Sequence, residues 1–336
     1  MINYTSRDLW LRQLSDVVTE PMELLRILSL DQSANMLYSK TFSQHFPLRV
    51  PRTFITRMQT GNAQDPLLLQ VLTSRKELIN SPDYLTDPLQ EHYNTKIPGL
   101  LHKYHNRALL LIKGGCAVNC RYCFRRYFPY WDHNINKNNW NKIIEYLKQH
   151  SEIDEIIFSG GDPLMAKDYQ LYWMIRDLEK LTNLKKLRIH SRLPVVIPSR
   201  ITLKLCQIFE KSRLKIILVT HINHPQEIDN TLRHSIKLLQ SARVLLLNQS
   251  VLLRAINNNA QILAELSNAL FEIGIMPYYL HMPDKVQGTA HFFVSTEEAC
   301  AIMIKLRGLI SGYLVPRLIR SIPEKANNEE MNGIIV

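Results

Sequence analysis

A chain of 336 residues that is 46% hydrophobic can bury a large core, as one elaborated domain or as a core with a terminal extension, which argues against general disorder. The net charge of +11 raises nucleic acid as a partner, yet the 41 basic residues are scattered and the tightest pieces, Arg125-Arg126 and Lys185-Lys186, are only pairs; nucleic acid is therefore not expected, and part of the excess is left to face anionic ligands. Five cysteines, three clustered and Cys206 and Cys300 apart in apolar helical contexts, point to a reducing compartment, hence the cytoplasm, and neither an apolar leader nor a membrane-length apolar run is found.

In chain order, residues from about 5 to 62 read as helical, with Ser6 capping a segment through Leu9, Trp10 and Leu14, and Pro21 opening a second through Leu24, Leu25 and Leu28. Between about 63 and 106 the turn pairs Asp65-Pro66, Ser81-Pro82, Asp87-Pro88 and Pro98-Gly99 mark irregular chain leading into a core. From Ala108 short apolar runs alternate with amphipathic segments: Ala108 to Ile112, Glu155 to Phe158, Lys186 to Ile189, Lys215 to Val219, Val244 to Leu247 and Ile275 to Leu280. Between them Trp140, Ile143, Ile144 and Leu147, then Ile262, Leu263, Leu266 and Leu270, follow helical spacing. Six strands alternating with helices predict right-handed crossovers and a parallel sheet. The expected organisation is a helical and irregular extension over 1–106, a barrel over 107–312 and a tail over 313–336.

Each predicted strand ends on polar residues: Lys113-Gly-Gly-Cys116, Ser159-Gly160-Gly161-Asp162, His190-Ser191-Arg192, Thr220-His221, Asn248-Gln249-Ser250, and His281 with Asp284. In a barrel of parallel strands those ends meet at one rim and ring a single cavity. Ordinary turn and cap roles are the other reading of each.

Cys116-Ala-Val-Asn-Cys120-Arg-Tyr-Cys123 sits on that rim. Three thiolates at this spacing hold a four-iron cubane with one iron left open to the amino and carboxylate groups of a small molecule. That pattern resembles the radical S-adenosylmethionine (SAM) arrangement, in which Tyr122 would pack against adenine; a zinc knot and a disulfide are the alternatives. Ser159, Gly160, Gly161 and Asp162 offer close backbone and exposed N–H groups to a polar ligand, although Asp162 also reads as a helix cap. Lys103, Tyr104 and Arg107 gather two cations and an aromatic suited to a phosphate. Arg125, two residues past Cys123, is placed to pair with a substrate carboxylate, with a surface position as the other reading for it or for Arg126.

Cys116 to Arg126, Ser159 to Leu164, Arg188 to Pro194, His221 to Pro225, Leu247 to Leu253 and Met276 to His281 together resemble the lysine 2,3-aminomutases, from about residue 5 to about 325. Within that family the likeness is to the bacterial branch that makes (R)-β-lysine for modification of elongation factor P, since Cys300 is the last cysteine and the C-terminal zinc-binding cysteines of the clostridial type are absent. The resemblance implies a partial (β/α)6 TIM-like barrel with an N-terminal helical extension. It implies a [4Fe-4S] cluster on Cys116, Cys120 and Cys123, with SAM at Ser159, Gly160, Gly161 and Asp162. It also implies pyridoxal 5′-phosphate, its phosphate on Lys103, Tyr104 and Arg107. The reaction implied is radical migration of the α-amino group of L-lysine, with Arg125 on the carboxylate and Asp284 on the ε-ammonium. An electron donor and a ligase acting on elongation factor P are the implied partners. Lys325, the only lysine beyond Val315, matches the lysine that tethers pyridoxal phosphate, although the loop before it is shorter and lacks glycine, and Ser321 stands where the family tends to have a second acid. An aminomutase for another amino acid such as glutamate, or an iron–sulfur protein that binds RNA or a translation factor without turnover, are the competing readings.

Overall fold

The computed structural model describes residues 6–31, 46–130, 135–322 and 329–331. Its strands are β1 (Val17–Val18), β2 (Val50–Pro51), β3 (Thr95–Ile97), β4 (Leu100–Tyr104), β5 (Arg107–Lys113), β6 (Glu155–Gly160), β7 (Lys186–Ser191), β8 (Lys215–His221), β9 (Leu245–Val251), β10 (Met276–His281), β11 (Arg317–Arg320) and β12 (Glu329–Glu330). β1 and β2 pair on their own, and the other ten form one sheet in the order β12-β11-β10-β9-β8-β7-β6-β5-β4-β3. From β5 to β11 every neighbouring pair is parallel, and the antiparallel pairs lie at the two ends.

The six expected strands are β5 to β10, most of them running a residue or two beyond the apolar run that marks them in the sequence. Polar residues therefore sit inside strands where turns were expected, as with His190 and Ser191 in β7 and Asn248, Gln249 and Ser250 in β9. A seventh parallel strand, β11, pairs Leu318 with Leu280 in the segment expected as a tail. At the other end the tight β4–β5 hairpin pairs Tyr104 with Arg107, so the sheet crosses both expected boundaries without interruption.

Strand alternation decides what faces where. In β7, Leu187 and Ile189 are fully buried while Lys186, Arg188 and His190 are half-buried. One face of the sheet packs on helices such as Lys137–Gln149, capped by Asn136 and burying Trp140, Ile143 and Leu147, and Ala260–Glu272, capped by Asn259 and burying Leu263, Leu266 and Leu270. The other face carries residues from β4 through β10 that line one cavity, which requires the sheet to curl around it. Among the described residues no helix is long and apolar enough to cross a membrane.

Among the described residues of the N-terminal segment, helices Ser6–Ser15 and Pro21–Ile27 and the short helix Arg52–Ile55 follow the expected helical reading, while β1 and β2 depart from it. The segment is fastened to the loops after β7 and β8: Arg57 donates to the Val195 and Glu227 carbonyls and pairs with Asp229 at 2.8 Å, and Trp10 lies under the Arg200 guanidinium.

Candidate active site

The cavity has a volume of about 960 Å³. That is near the upper end of ligand sites and leaves room for more than one small molecule. Cys116, Cys120, Cys123, Arg125, Ser159, Gly160, Gly161, Asp162, Lys103, Tyr104, Arg107 and Asp284 all line it. Lys325 lies outside the described residues.

The glycines after β6 serve first to seat the cysteine loop. Gly160 has φ +121°, and a Cβ there would meet the Lys113 carbonyl oxygen at 2.4 Å; at Gly161 it would meet the Gly115 carbonyl oxygen at 2.6 Å. Backbone N–H groups of Gly161 and Asp162 donate to those same two carbonyls. The close approach that the glycines allow is thus, in this chain, strand end against cluster loop. Asp162 is likewise occupied, since its carboxylate accepts from the Leu164, Arg192 and Leu193 N–H groups and from Ser191 Oγ at 2.7 to 3.0 Å. The cap reading of Asp162 describes the Leu164 bond, while the other three tie Asp162 to the end of β7 and the loop after it.

Neither arginine of the Arg125-Arg126 pair is at the surface, both being less than a tenth exposed. Arg125 donates to Glu91 through Nε and Nη2 at 2.7 and 2.6 Å, and through Nη1 to Ser159 Oγ and the Gly160 carbonyl at 3.1 Å. Burial alone would weaken its charge, and Glu91 more than restores it. Arg126 and Arg121 share Glu77, with Arg121 bound at two points, all three side chains fully buried. A third arginine, Arg192, donates to Cys120 Sγ at 2.8 Å, to Tyr122 Oη, to Gln70 at 2.7 Å and to Glu227 at 3.0 Å. Tyr122 completes this network through His221 at 2.9 Å and Asn223 at 2.6 Å.

Glu77 and Glu91, both from the turn-rich stretch before the barrel, are the site residues that sequence reasoning missed. Their signal was present as an imbalance: Arg121, Arg125 and Arg126 crowd the cysteine loop, and no acid stands between Glu91 and Asp132 in sequence, which points to counter-charges from outside the loop.

The cavity wall carries both signs of charge. Lys103, Tyr104 and Arg107 stand at the β4–β5 turn, where the Arg107 guanidinium lies 3.9 Å from the Tyr104 ring centre. Lys103 Nζ donates to the Ile322 carbonyl at 2.8 Å, and burial lowers its pKa. Asp284 sits in the loop after β10 with no hydrogen bond to its carboxylate among the described residues; burial, with Glu91 adding to it, lifts its pKa to about 7. His190, His221 and His281 also line the cavity and are kept neutral by burial, His281 at about 4. The Nε2 atoms of His190 and His281 are buried with no hydrogen-bond partner among the described residues. A bound ligand would satisfy them.

Burial and neighbouring thiols push Cys116 well up and Cys123 to about 11. Bound iron would reverse that preference, because the thiolate is the ligand form. Among the described residues no three His, Cys, Asp or Glu side chains are gathered as they would be around a single metal ion. A cubane takes each thiolate on a different iron and asks for a wider spread. With three free thiols on one cavity wall and an arginine already donating to one sulfur, the donor set fits such a cluster.

Comparison with known proteins agrees. The pattern of the Radical SAM superfamily matches residues 110–239. The chain is 59% identical over 321 residues to the L-lysine 2,3-aminomutase of Escherichia coli (strain K12), spanning 96% of this chain and 94% of that one. It is 51% identical over 318 residues to the L-lysine 2,3-aminomutase of Haemophilus influenzae, spanning 95% and 94%, and 35% identical over 271 residues to that of Clostridium subterminale, spanning 80% and 65%. Membership of the superfamily implies a [4Fe-4S] cluster and SAM, which the cysteine loop and the cavity accommodate. On identity that runs nearly end to end, the chain belongs to the L-lysine 2,3-aminomutase family of radical SAM proteins.

Proposed function

We propose that the protein moves the α-amino group of L-lysine to the β-carbon, giving (R)-β-lysine, with a [4Fe-4S] cluster, SAM and pyridoxal phosphate as cofactors. The observation that carries this reading is that one cavity walled by three free thiols holds both Arg125 and Asp284, a half-buried carboxylate with no hydrogen bond among the described residues. An amino acid with a cationic side chain has the charges to match both. An acidic substrate would bring a second anion toward Asp284, which disfavours glutamate.

Each residue has a physical task in this scheme. Cys116, Cys120 and Cys123 hold the cluster as thiolates, and Arg192 donates to the Cys120 sulfur. Lys103, Tyr104 and Arg107 hold the cofactor phosphate by charge and hydroxyl. Ser159 and the strand end at Gly160, Gly161 and Asp162 form the wall for SAM, with Asp162 acting through the loop it pins. Lys325 is the residue proposed to tether pyridoxal phosphate. When bound, the cluster and SAM supply hydrogen-atom abstraction from an unactivated C–H bond, and pyridoxal phosphate supplies a delocalising ring for the migrating nitrogen. The protein orients the substrate between Arg125 and Asp284 and excludes water, helped by the N-terminal segment that closes over the loops.

The physiological role proposed is supply of β-lysine for modification of elongation factor P, with a reductant and a lysine-transferring ligase as partners. It is supported by the motif-level likeness to that bacterial branch and by identity across nearly the whole of the Escherichia coli relative. Two experiments test the two levels. Protein reconstituted without oxygen should convert lysine, with SAM and dithionite, to β-lysine on chiral chromatography, and leave glutamate unchanged; turnover of glutamate alone would reverse the substrate assignment. In cells, deleting the gene should remove the β-lysyl mass from elongation factor P and complementation should restore it; unchanged modification would remove the proposed role while leaving the reaction.

A further inference from the structure

Arg125 is the side chain that the lysine reading gives to the substrate carboxylate, and the role inferred for its partner Glu91 rests on that reading. Two edges of the Arg125 guanidinium are already in use, Nε and Nη2 on Glu91 and Nη1 on Ser159 and Gly160. One N–H of Nη2 is left over. The side-on seat of Nε and Nη2 opens to a ligand carboxylate only if Glu91 moves away, whereas the end-on edge, Nη1 with the remaining Nη2 N–H, is crossed by the bonds to Ser159 and Gly160.

Glu91 is held unlike Glu77 and Asp162, two buried acids of the site. Glu77 accepts from Arg121, Arg126 and the Ser74 N–H, and Asp162 accepts from four donors. The Glu91 carboxylate has Arg125 alone among the described residues. It is carried on a four-residue 3-10 turn, Glu91–Asn94, and lines the cavity together with Arg125, Lys103 and Asp284. Its charge reaches both Lys103 and Asp284.

We infer that Glu91 is an exchangeable counter-ion for substrate recognition: it occupies the two-point seat on Arg125 when the site is empty and yields it to the α-carboxylate of the incoming amino acid. The exchange replaces one carboxylate by another of the same shape. The buried guanidinium is therefore never left unpaired, the state that would be costly. Selectivity comes from the same geometry, because only a ligand bearing a carboxylate can take the seat. A diamine meets an intact pair. Once displaced, Glu91 has Lys103 within its field, so its own charge is not stranded either.

The test compares lysine with cadaverine, which keeps both amino groups and lacks the carboxylate. Dissociation constants are measured by equilibrium dialysis on anaerobically reconstituted holoenzyme, wild type and Glu91→Gln, with circular dichroism and iron content confirming that the variant is folded and loaded. Removing the competitor should tighten lysine by about tenfold and leave cadaverine unchanged within about twofold. Lysine binding that weakens while cadaverine holds would make Glu91 a residue that orients Arg125 and would overturn the inference, as would equal shifts for both ligands or no shift for either. Wild type that binds neither ligand would overturn the lysine assignment itself, and this inference with it.

Discussion

Glu77 and Arg121 meet at two points, Oε1 accepting from Nε at 2.9 Å and Oε2 from Nη2 at 2.6 Å, with both side chains fully buried. The pair joins the segment before the barrel to the cysteine loop, between Cys120 and Cys123. Arg126 adds a further bond to Oε2 at 2.6 Å. One acid thus bridges two guanidinium groups inside the protein, and three turn-region residues, Gln70, Glu77 and Glu91, each hold an arginine of the site.

Glu77→Ala should be among the most destabilising single changes in the chain, at about 3–5 kcal/mol, because it leaves two buried cations without their partner. Urea unfolding of the cluster-free protein measures it. A loss below about 1 kcal/mol would mean that the arginines find water or another acid.

The same pair gives the fold an acid limit. Burial opposes ionisation of Glu77, but Arg121 and Arg126 outweigh it and hold the carboxyl below its usual range. Its contribution is present above the unfolded-state value of about 4.3 and is lost as pH falls through the lower folded value. Thermal midpoints measured from about pH 6 down to about pH 3 should fall more steeply for wild type than for Glu77→Gln.

Asp284 predicts a pH dependence of the opposite kind, in binding. Its pKa of about 7 in the empty site means that the carboxylate form grows as pH rises through 7, and a cationic side chain binds that form. The kcat/KM for lysine should climb between about pH 6 and about pH 8, by up to about tenfold per unit at the acid end. Asp284→Asn should raise KM and flatten that limb. A variant with unchanged KM and an unchanged profile would remove Asp284 from the site.

Much of the barrel was legible because its signal is local. Six apolar runs with polar ends give six strands and a rim, and Cys116, Cys120 and Cys123 share one loop, so their proximity needs no tertiary knowledge. What escaped was long-range. Nothing near Glu91 or Glu77 in sequence announces Arg125 or Arg121, which lie 34 and 44 residues away. Strand β11 escaped for a different reason: Arg317–Arg320 is short and flanked by arginines, so alternation has too few residues to register, and its pairing with β10 comes from the sheet already built. Gly160 and Gly161 were legible as sites of close approach, while the partner, the Lys113 and Gly115 carbonyls of the cysteine loop, was not.

That contact makes Gly161→Ala informative. The added Cβ would stand 2.6 Å from the Gly115 carbonyl oxygen, so backbone must shift, and the loop that shifts carries Cys116. Iron bound after reconstitution should fall and the thermal midpoint should drop. Full iron loading with an unchanged midpoint would show that the strand end and the loop are not coupled.

Cys120→Ala separates cluster from fold. The variant should keep its far-ultraviolet circular dichroism, since the apolar core does not include the cluster, yet lose the iron–sulfur absorbance and SAM cleavage. Retained SAM cleavage would contradict the assignment of Cys120, and zinc in place of iron in protein purified without oxygen would favour the knot.

Lys325 has a chemical test of its own. Borohydride reduction of the holoprotein followed by peptide mapping should leave the pyridoxyl group on Lys325, and Lys325→Ala should lose both adduct and activity. An adduct on another lysine, with Lys325→Ala still active, would end the assignment.

The central claim is that nitrogen moves from the α- to the β-carbon of lysine within this cavity. Lysine labelled with nitrogen-15 at the α-amino group, turned over by the reconstituted enzyme and examined by nuclear magnetic resonance, reads that migration directly. The account predicts β-lysine with the label bonded to the β-carbon and none released. Label recovered as ammonia, or lysine returned unchanged while SAM is cleaved, would contradict it.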